Sequence, residues 1–256
     1  MDQTFFKNAI VRKPAPNFAA GLTTQDNRGA NYTLMSQQHA AYVAKLQELG
    51  LAVTILPANA EFPDGHFVED PVVFAGGTAV LTRPGAPSRL HEGLSLTETL
   101  AGFADLARIE APGFLDGGDV MRVRDHFYIG LSDRTNEAGA EQLGALVSEQ
   151  GFTWSTVAVP AGLHLKSSVN YLGDNVLLGT ESFLALPEFA DFEKWVLPPE
   201  ETPAANTLWI NENLLMPAGY PKTEARLRAW RKPVHVLDMS EVEKMDGGLS
   251  CLSLRF

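Results

Sequence analysis

One cysteine and six histidines are the residues of this chain best suited to covalent catalysis. The cysteine, Cys251, follows an Asp-Gly-Gly turn at residues 246–248 and precedes an alternation of apolar and polar residues that predicts a half-buried strand. On residue type alone, a single cysteine is more often a small buried hydrophobe than a nucleophile. The nucleophile hypothesis therefore depends on the residues that the fold places beside Cys251.

A cysteine nucleophile needs a nearby proton donor or acceptor, which is usually a histidine. His164 is the preferred candidate, because leucines flank it at the start of a predicted strand and place its ring on the opposite face. His66 is the second candidate, because it lies within an acidic cluster. His39 and His91 are predicted to be surface residues of helical segments. The sequence therefore favours a pair of Cys251 and His164.

Acidic residues recur at the starts of the predicted repeats: Asp64, Glu69, Asp70, Asp116 and Asp119. The aspartate of a single Asp-Gly pair is more simply explained as a turn residue. Several carboxylates in one pocket, however, would repel each other unless a cation entered. A guanidinium suits such a pocket, since it is planar, permanently charged and able to donate two hydrogen bonds to one carboxylate. The histidine and acidic spacings match neither a zinc nor a calcium site, so no metal and no other cofactor is predicted.

A repeat of 43 to 49 residues organises the chain, with units that begin at residues 67, 114, 163, 206 and 249. The pattern of each unit predicts two strands, a helix and a third strand. The N-terminal segment completes the last unit. Five ββαβ units predict an α/β ring around a pseudo-five-fold axis, closed by the N- and C-terminal strands, whereas an open α/β sheet is the alternative. In the ring, the acidic residues, His164 and Cys251 would converge near the axis.

The predicted helices cover residues 34–49, 92–104, 137–150, 183–195 and 223–230, and the predicted third strands cover residues 53–56, 107–109, 154–159, 196–197 and 234–237. No low-complexity linker divides the chain, which predicts one domain over residues 1–256. The polar, glycine-bounded segment over residues 21–30 is either a lid or an ordinary surface loop.

Composition restricts the class of partner. The chain is 45% hydrophobic and 20% charged, with a net charge of −11 that argues against nucleic acid and is compatible with a cationic small molecule. No apolar run is long enough to cross a membrane, and the first residues do not resemble a signal peptide. A single cysteine cannot form an internal disulfide, so a cytoplasmic location is predicted.

Several longer motifs resemble the dimethylarginine dimethylaminohydrolases, members of the pentein or guanidine-modifying superfamily. They are FPDGHFVEDP at residues 62–71, LDGGDV at 115–120, FYIGLSDRTN at 127–136, LHLK at 163–166 and DGGLSCLSLRF at 246–256. The resemblance implies the pentein fold, a five-bladed α/β propeller, and cofactor-free hydrolysis of Nω-methylated arginines to citrulline and an amine. It also implies a guanidino amino acid as the bound small molecule and leads us to expect a homodimer.

The resemblance further implies roles for individual residues. Cys251 matches the nucleophile, His164 the general acid/base and Asp116 its carboxylate partner. The residues that match substrate-binding positions are Leu22, Asp64, Glu69, Asp70, Arg89, Arg134 and Met245. Among them, Asp70 is expected on the guanidinium, Arg89 and Arg134 on the α-carboxylate, and the carbonyl groups of Leu22 and Met245 on the α-amino group.

Two alternatives to this activity stay open on the sequence. Arginine and agmatine deiminases of the superfamily typically carry an aspartate two residues after the histidine, where this chain has Lys166, which favours a methylated substrate. A related hydrolase acting on arginine or citrulline is the alternative enzyme. A pentein-fold binding module, like the ribosome-binding translation factor of that fold, would need neither Cys251 nor His164, so this alternative is disfavoured.

Overall fold

A computed structural model describes residues 5–25 and 29–256 of the chain. Its contacts divide the chain into two compact units. The discontinuous unit comprises Met1–Phe67 and Ser167–Phe256, and the continuous unit comprises Val68–Lys166. That the whole chain is one domain stays a prediction. None of the helices in the described residues has the length and apolar character needed to cross a membrane.

Fifteen short strands are present in the described residues. They are β1 (Asn8–Arg12), β2 (Ala52–Leu56), β3 (Val72–Ala75), β4 (Thr78–Leu81), β5 (Asp105–Arg108), β6 (Val120–Val123), β7 (His126–Leu131), β8 (Thr153–Ala158), β9 (Val169–Tyr171), β10 (Val176–Gly179), β11 (Glu193–Val196), β12 (Leu208–Ile210), β13 (Asn213–Pro217), β14 (Val234–Leu237) and β15 (Leu254–Arg255). The α-helices are α1 (Tyr32–Glu48), α2 (Thr97–Leu100), α3 (Glu137–Glu149), α4 (Glu181–Leu184), α5 (Pro221–Arg228) and α6 (Ser240–Glu243).

The strands form five three-stranded sheets, each with one antiparallel and one parallel pair. Sheets β3-β4-β5 and β6-β7-β8 belong to the continuous unit, and the other three belong to the discontinuous unit. In every sheet a helix connects the middle strand to its parallel partner. The predicted ββαβ order is thus confirmed in all five units.

The N-terminus completes the last unit, as the sequence predicts. Strand β1 lies between β15 and β2, where Ala9 pairs with Arg255 in antiparallel register and with Val53 in parallel register. Residues from both ends of the chain therefore share one sheet. This pairing fixes the C-terminal strand three residues after Cys251.

Two of the predicted helices were wrong in length. The segment predicted as a helix over residues 183–195 holds only the end of α4, a 3-10 turn and most of strand β11. Pro187 begins that 3-10 turn, and it explains the break, because a proline disfavours helical backbone at the residue before it. The segment over residues 92–104 is likewise a 3-10 turn, Glu92–Leu96, followed by the short α2.

Two predicted strand starts are also wrong. His164 directly precedes the 3-10 turn Leu165–Ser167, and Cys251 lies inside the 3-10 turn Ser250–Leu252. In the second turn the amide of Cys251 donates to the Gly248 carbonyl at 3.2 Å. His164 therefore lies directly before a short turn and Cys251 lies within one, and neither residue is on a strand.

His39 is a further correction, since it is buried in α1 and not a surface residue. Burial lowers its pKa to about 4, so its imidazole is neutral at neutral pH. Helix α1 contributes Met35, Tyr42 and Leu46 to a core cluster of the discontinuous unit that also holds Leu249 and Leu252. The turn that carries Cys251 is therefore packed into this core.

Candidate active site

The continuous unit holds His164 in a buried hydrogen bond with Asp116. The Nε2 atom of His164 lies 3.0 Å from Oδ2 of Asp116, while the Gly85 amide donates to the other carboxylate oxygen at 3.1 Å. Burial alone would lower the pKa of His164, but the charge of Asp70, the hydrogen bond to Asp116 and the charge of Asp119 raise it to about 9. His164 is therefore protonated at neutral pH and can act as an acid.

Asp70 lies on the other side of the same imidazole. Its Oδ1 atom is 4.0 Å from Nδ1 of His164 and accepts the Gly118 amide at 3.1 Å, and its Oδ2 atom accepts from Arg89 at 2.5 Å. Burial would raise the pKa of Asp70, but the positive charges of Arg89 and His164 outweigh burial and lower it. Asp70 is therefore an ionised carboxylate next to the protonated imidazole of His164.

Gly118 allows the histidine and the two carboxylates to approach each other. A Cβ atom on this glycine would lie 2.6 Å from Nδ1 of His164 and 2.9 Å from Oδ1 of Asp70. Both distances are too short for carbon, so any side chain there would displace the ring or the carboxylate. The Asp-Gly-Gly-Asp segment at residues 116–119 is thus a close-packed support for His164.

We expect the substitution Gly118→Ala to reduce kcat by about 10²-fold, because displacing a catalytic group by about 1 Å costs that much. The measurement is steady-state turnover together with thermal unfolding. Gly77→Ala is the matched control, since a Cβ atom at Gly77 meets no atom within 4 Å. Wild-type turnover by a folded Gly118→Ala variant would contradict the positions assigned to His164 and Asp70.

Asp119 connects, through hydrogen bonds, the backbone next to His164 with the loop that holds Asp116. Its Oδ1 atom accepts the Leu165 amide at 2.9 Å, and its Oδ2 atom accepts the hydroxyls of Ser132 at 2.6 Å and Thr135 at 2.7 Å. The Thr135 hydroxyl also accepts the Asp116 amide at 3.2 Å. Burial raises the pKa of Asp119, opposed by the charge of His164 and these hydrogen bonds. Asp119 therefore fixes the segments that carry Asp116 and His164.

The two arginines predicted to bind a carboxylate differ in their surroundings. Arg89 is buried, and its Nε and Nη2 atoms donate to the two oxygens of Glu92 at 2.8 and 2.9 Å while Nη1 donates to Asp70. The half-buried side chain of Arg134 has no hydrogen-bond or ion-pair partner among residues 5–25 and 29–256. Arg134 therefore offers an unengaged guanidinium, whereas Arg89 also holds Asp70 in place.

Glu69 forms a buried ion pair with Lys166, whose Nζ atom lies 2.6 Å from Oε1. Lys166 is the residue that distinguishes the LHLK motif from the aspartate pattern of the deiminases. Its positive charge neutralises one of the carboxylates predicted to bind substrate. Fewer uncompensated negative charges are therefore left to bind the guanidinium of a substrate than the sequence alone suggests.

Asp70, Asp116 and His164 also have a spacing that could suit a metal ion, since one ligand atom from each lies within 4.8 Å of the others. Metal ligation requires a neutral imidazole. The pKa of about 9 keeps this imidazole charged at neutral pH, and Arg89 already neutralises Asp70. These groups therefore have partners other than a metal ion, and the absence of a resident metal stays a prediction.

Cys251 belongs to the discontinuous unit, where it is half-buried on its 3-10 turn. Asp246, at the start of the preceding turn, has a φ of 56°. Gly247 lets the chain pass Phe67, because a Cβ atom there would lie 2.4 Å from its ring. The glycine turn therefore serves both backbone conformation and close packing ahead of the cysteine.

The other residues of this unit that are predicted to bind substrate lie on two loops. The carboxylate of Asp64 accepts the Leu22 amide at 3.0 Å, so Asp64 orients the backbone of Leu22. Met245 is buried in the core directly before Asp246. The predicted lid over residues 21–30 is described only in part, because residues 26–28 lie outside the described residues. Its first half is fixed to Asp246, which accepts the Thr24 amide at 2.5 Å and the Gln25 side chain at 2.9 Å.

Comparisons with known proteins show which family the chain resembles. The model of the eukaryotic N,N dimethylarginine dimethylhydrolase family matches residues 14–182. The dimethylarginine dimethylaminohydrolase of Pseudomonas aeruginosa is 44% identical over 98% of this chain and 100% of its own length. The one from Streptomyces coelicolor is 37% identical over 97% of this chain and 96% of its own.

Solved structures agree with the sequence comparisons. A cysteine-to-serine variant of the Pseudomonas aeruginosa enzyme, complexed with citrulline, superposes with a TM-score of 0.96 over 99% of this chain and all of that one, at 44% identity. The N-terminal domain of the cyanobacterial arginine dihydrolase ArgZ has a TM-score of 0.85 over 98% of this chain and 97% of its own, at 14% identity, which shows the fold alone. The chain has the mixed α/β fold of five ββαβ units that defines the penteins. Within that class, it belongs to the dimethylarginine dimethylaminohydrolase family.

Proposed function

We propose that this protein hydrolyses Nω-methylated arginines, asymmetric dimethylarginine and monomethylarginine, to L-citrulline and dimethylamine or methylamine. The observation that carries the proposal is the protonated His164, held by Asp116 and flanked by Asp70 in the buried part of the continuous unit. The citrulline complex of the Pseudomonas aeruginosa enzyme supports the choice of product. We assign Cys251 as the nucleophile and His164 as the general acid/base.

The reaction has two substitution steps at the guanidinium carbon. The Cys251 thiolate attacks, a C–S bond forms, and the tetrahedral adduct breaks its C–N bond to the methylated nitrogen. His164 gives its proton to that nitrogen, so the amine leaves neutral and a thiouronium remains on sulfur. His164 then takes a proton from water, whose oxygen attacks the same carbon. The C–S bond breaks and restores the thiolate, and the new hydroxyl group releases its proton to solvent, which leaves citrulline with its carbonyl.

The Nδ1 atom of His164 is the atom we assign to proton transfer. Its Nε2 atom is held by Asp116, whereas Nδ1 lies 4.0 Å from Asp70, beyond hydrogen-bond distance. Asp70 is assigned to the substrate guanidinium, because an ionised carboxylate there stabilises the positive charge and orients the carbon for attack. Asp64 supports Leu22, whose carbonyl group is assigned with that of Met245 to the α-amino group. Glu69 as a direct ligand stays a prediction.

Arg134 is assigned to the α-carboxylate, with Arg89 predicted as its partner. We expect Arg134→Gln to raise KM by about 10- to 100-fold with little change in kcat, because losing a charge-assisted hydrogen bond removes binding common to ground and transition states. The decarboxylated probe Nω-methylagmatine should show no such change. Arg83→Gln is the control, since Arg83 is half-buried in the same unit and donates to the Gly113 carbonyl. An equal loss on both substrates would contradict the assignment.

A side-by-side assay of asymmetric dimethylarginine, monomethylarginine, arginine and citrulline tests the substrate class. We expect the highest kcat/KM on the methylated substrates, because Lys166 occupies the position where a second guanidinium-binding carboxylate would stand and already neutralises Glu69. A higher kcat/KM on arginine or citrulline would overturn this substrate and select the alternative hydrolase. Lack of turnover on all four would overturn the enzyme assignment.

The remaining assignments concern partners and location. We propose a guanidino amino acid as the bound small molecule, no nucleic acid or membrane partner, and a cytoplasmic location. A homodimer and a single cooperative domain are also predicted. Light scattering tests the oligomeric state. Calorimetry tests the domain, since a single domain should give one unfolding transition with equal calorimetric and van't Hoff enthalpies.

A further inference from the structure

Asn206 opens the fourth ββαβ unit and has no role in the mechanism above. The starts of the other units carry Asp70, Asp116, His164 and Cys251, each of which that mechanism uses. Asn206 is buried in the discontinuous unit. A buried amide must satisfy its donors and acceptors within the protein, so its partners indicate its purpose.

Both the oxygen and the nitrogen of the Asn206 side-chain amide form hydrogen bonds with Ser250, the residue before Cys251. Oδ1 of Asn206 accepts the Ser250 amide at 2.8 Å, and Nδ2 donates to the Ser250 hydroxyl at 3.1 Å. Gly248 makes room for this contact, because a Cβ atom there would lie 2.5 Å from Cγ of Asn206. The pair of hydrogen bonds fixes both the backbone and the side chain of Ser250.

The Ser250 hydroxyl also lies next to the sulfur. Its Oγ atom is 3.9 Å from Sγ of Cys251, within the range of a hydrogen bond to sulfur. Oγ accepts a hydrogen bond from Nδ2 of Asn206. When Cys251 is a thiolate its sulfur carries no proton, so in this contact the hydroxyl is the donor and the sulfur the acceptor. A hydroxyl that donates to a thiolate stabilises the charged form of the cysteine.

We propose that Ser250 donates a hydrogen bond to the Cys251 thiolate and that Asn206 is the positioning residue that directs it. Its importance for turnover rests on the proposed function, but the hydrogen bond itself does not. A charged side chain of the same unit contacts this turn: the Nη1 atom of Arg255 donates to the Ser250 carbonyl at 3.1 Å. Arg255 keeps its charge at all working pH values. Asp246, earlier in the segment, is engaged by Thr24 and Gln25.

The test is the rate of Cys251 alkylation by iodoacetamide as a function of pH. The single cysteine makes the reaction site-specific. We expect Ser250→Ala to slow alkylation at pH 7 by about tenfold, equivalent to one unit of pKa, and to move the midpoint of the profile to higher pH. Ser250→Thr keeps the hydroxyl and should restore the wild-type profile. Ser253→Ala is the matched control, because Ser253 is equally buried but its hydroxyl contacts Tyr42 and Arg255.

A second variant covers the case in which Ser250→Ala does not fold. Asn206→Asp keeps the oxygen that accepts the Ser250 amide but replaces the donor Nδ2 with a second oxygen. The Ser250 hydroxyl would then donate its proton to this oxygen instead of to the sulfur. We expect alkylation to slow by at least about tenfold at pH 7. A wild-type pH profile in folded Ser250→Ala or in Asn206→Asp would overturn the proposal. A loss of thermal stability with an unchanged profile would show a structural role only and would overturn it equally.

Alkylation requires no substrate, so the two proposals can fail separately. If the wild-type protein turns over no guanidino compound but its alkylation still depends on Ser250, the proposed function fails and this inference stands. If turnover is normal and the alkylation profile does not change in Ser250→Ala, this inference fails and the proposed function stands. In the supporting case, Ser250→Ala should also lower kcat more than it raises KM, since the thiolate acts in the chemical step.

Discussion

Replacement of Cys251 by serine is expected to lower kcat on asymmetric dimethylarginine by at least about 10³-fold, because removal of a covalent nucleophile leaves only the contribution of binding and charge stabilisation. A serine hydroxyl is hardly ionised at neutral pH, and the sulfur is the only cysteine sulfur in the chain. Binding should survive, so the Kd for citrulline measured by calorimetry should change by only a few-fold.

Ser253→Ala is the control for this variant, since it removes a buried hydroxyl two residues from Cys251 and should keep turnover. Retention of more than a tenth of the activity in Cys251→Ser would contradict a nucleophilic role. Loss of citrulline binding together with turnover would instead assign Cys251 to the binding surface or to stability.

His164→Asn is expected to lower kcat by about 10²- to 10⁴-fold, the usual contribution of a general acid/base. The loss should be smaller on S-methyl-L-thiocitrulline, because a thiolate leaving group departs without first receiving a proton. His91→Asn, an exposed histidine of the same unit, is the control. Equal losses on both substrates would contradict proton donation by His164 to the leaving group.

The raised pKa of His164 also predicts a pH effect on stability. The pKa is about 9 in the folded chain and near 6.5 when unfolded, so the folded state binds the proton more tightly. The resulting stabilisation is complete below pH 6.5 and is lost as the pH rises through 9. Urea unfolding of His164→Asn should therefore show a smaller decrease in the free energy of unfolding between pH 6.5 and 9 than the wild type. An identical decrease would contradict the shifted pKa.

The sequence predicted the repeat better than its individual helices. The spacing of apolar segments set the number and order of the ββαβ units, because each unit needs its own sheet and helix to bury a face. The helix over residues 183–195 was overpredicted, since Pro187 interrupts an otherwise helical pattern of apolar residues. His39 was assigned to the surface because helix periodicity alone does not say which polar residue faces a core.

The sequence led to a candidate site where motifs carried it, and the roles of its residues stay predictions. Cys251, His164 and Asp116 followed from residue type, repeat position and resemblance. The hydrogen bonds of Asp119 to Leu165 and of Asn206 to Ser250 were not predictable, because they join residues distant in sequence. Pairing of Glu69 with Lys166 was also invisible, since the charge of a lysine does not reveal its partner. The sequence signal for Asn206 was its place as a polar residue at the start of a repeat.

The most direct test of the covalent mechanism is intact-protein mass spectrometry of the enzyme quenched with acid during turnover of asymmetric dimethylarginine. The account predicts an adduct with the mass of the substrate less dimethylamine, located on Cys251 by peptide mapping and absent from Cys251→Ser. The enzyme is sampled at pre-steady-state times while it turns over rapidly. Absence of an adduct, or an adduct on another residue, would contradict the covalent mechanism.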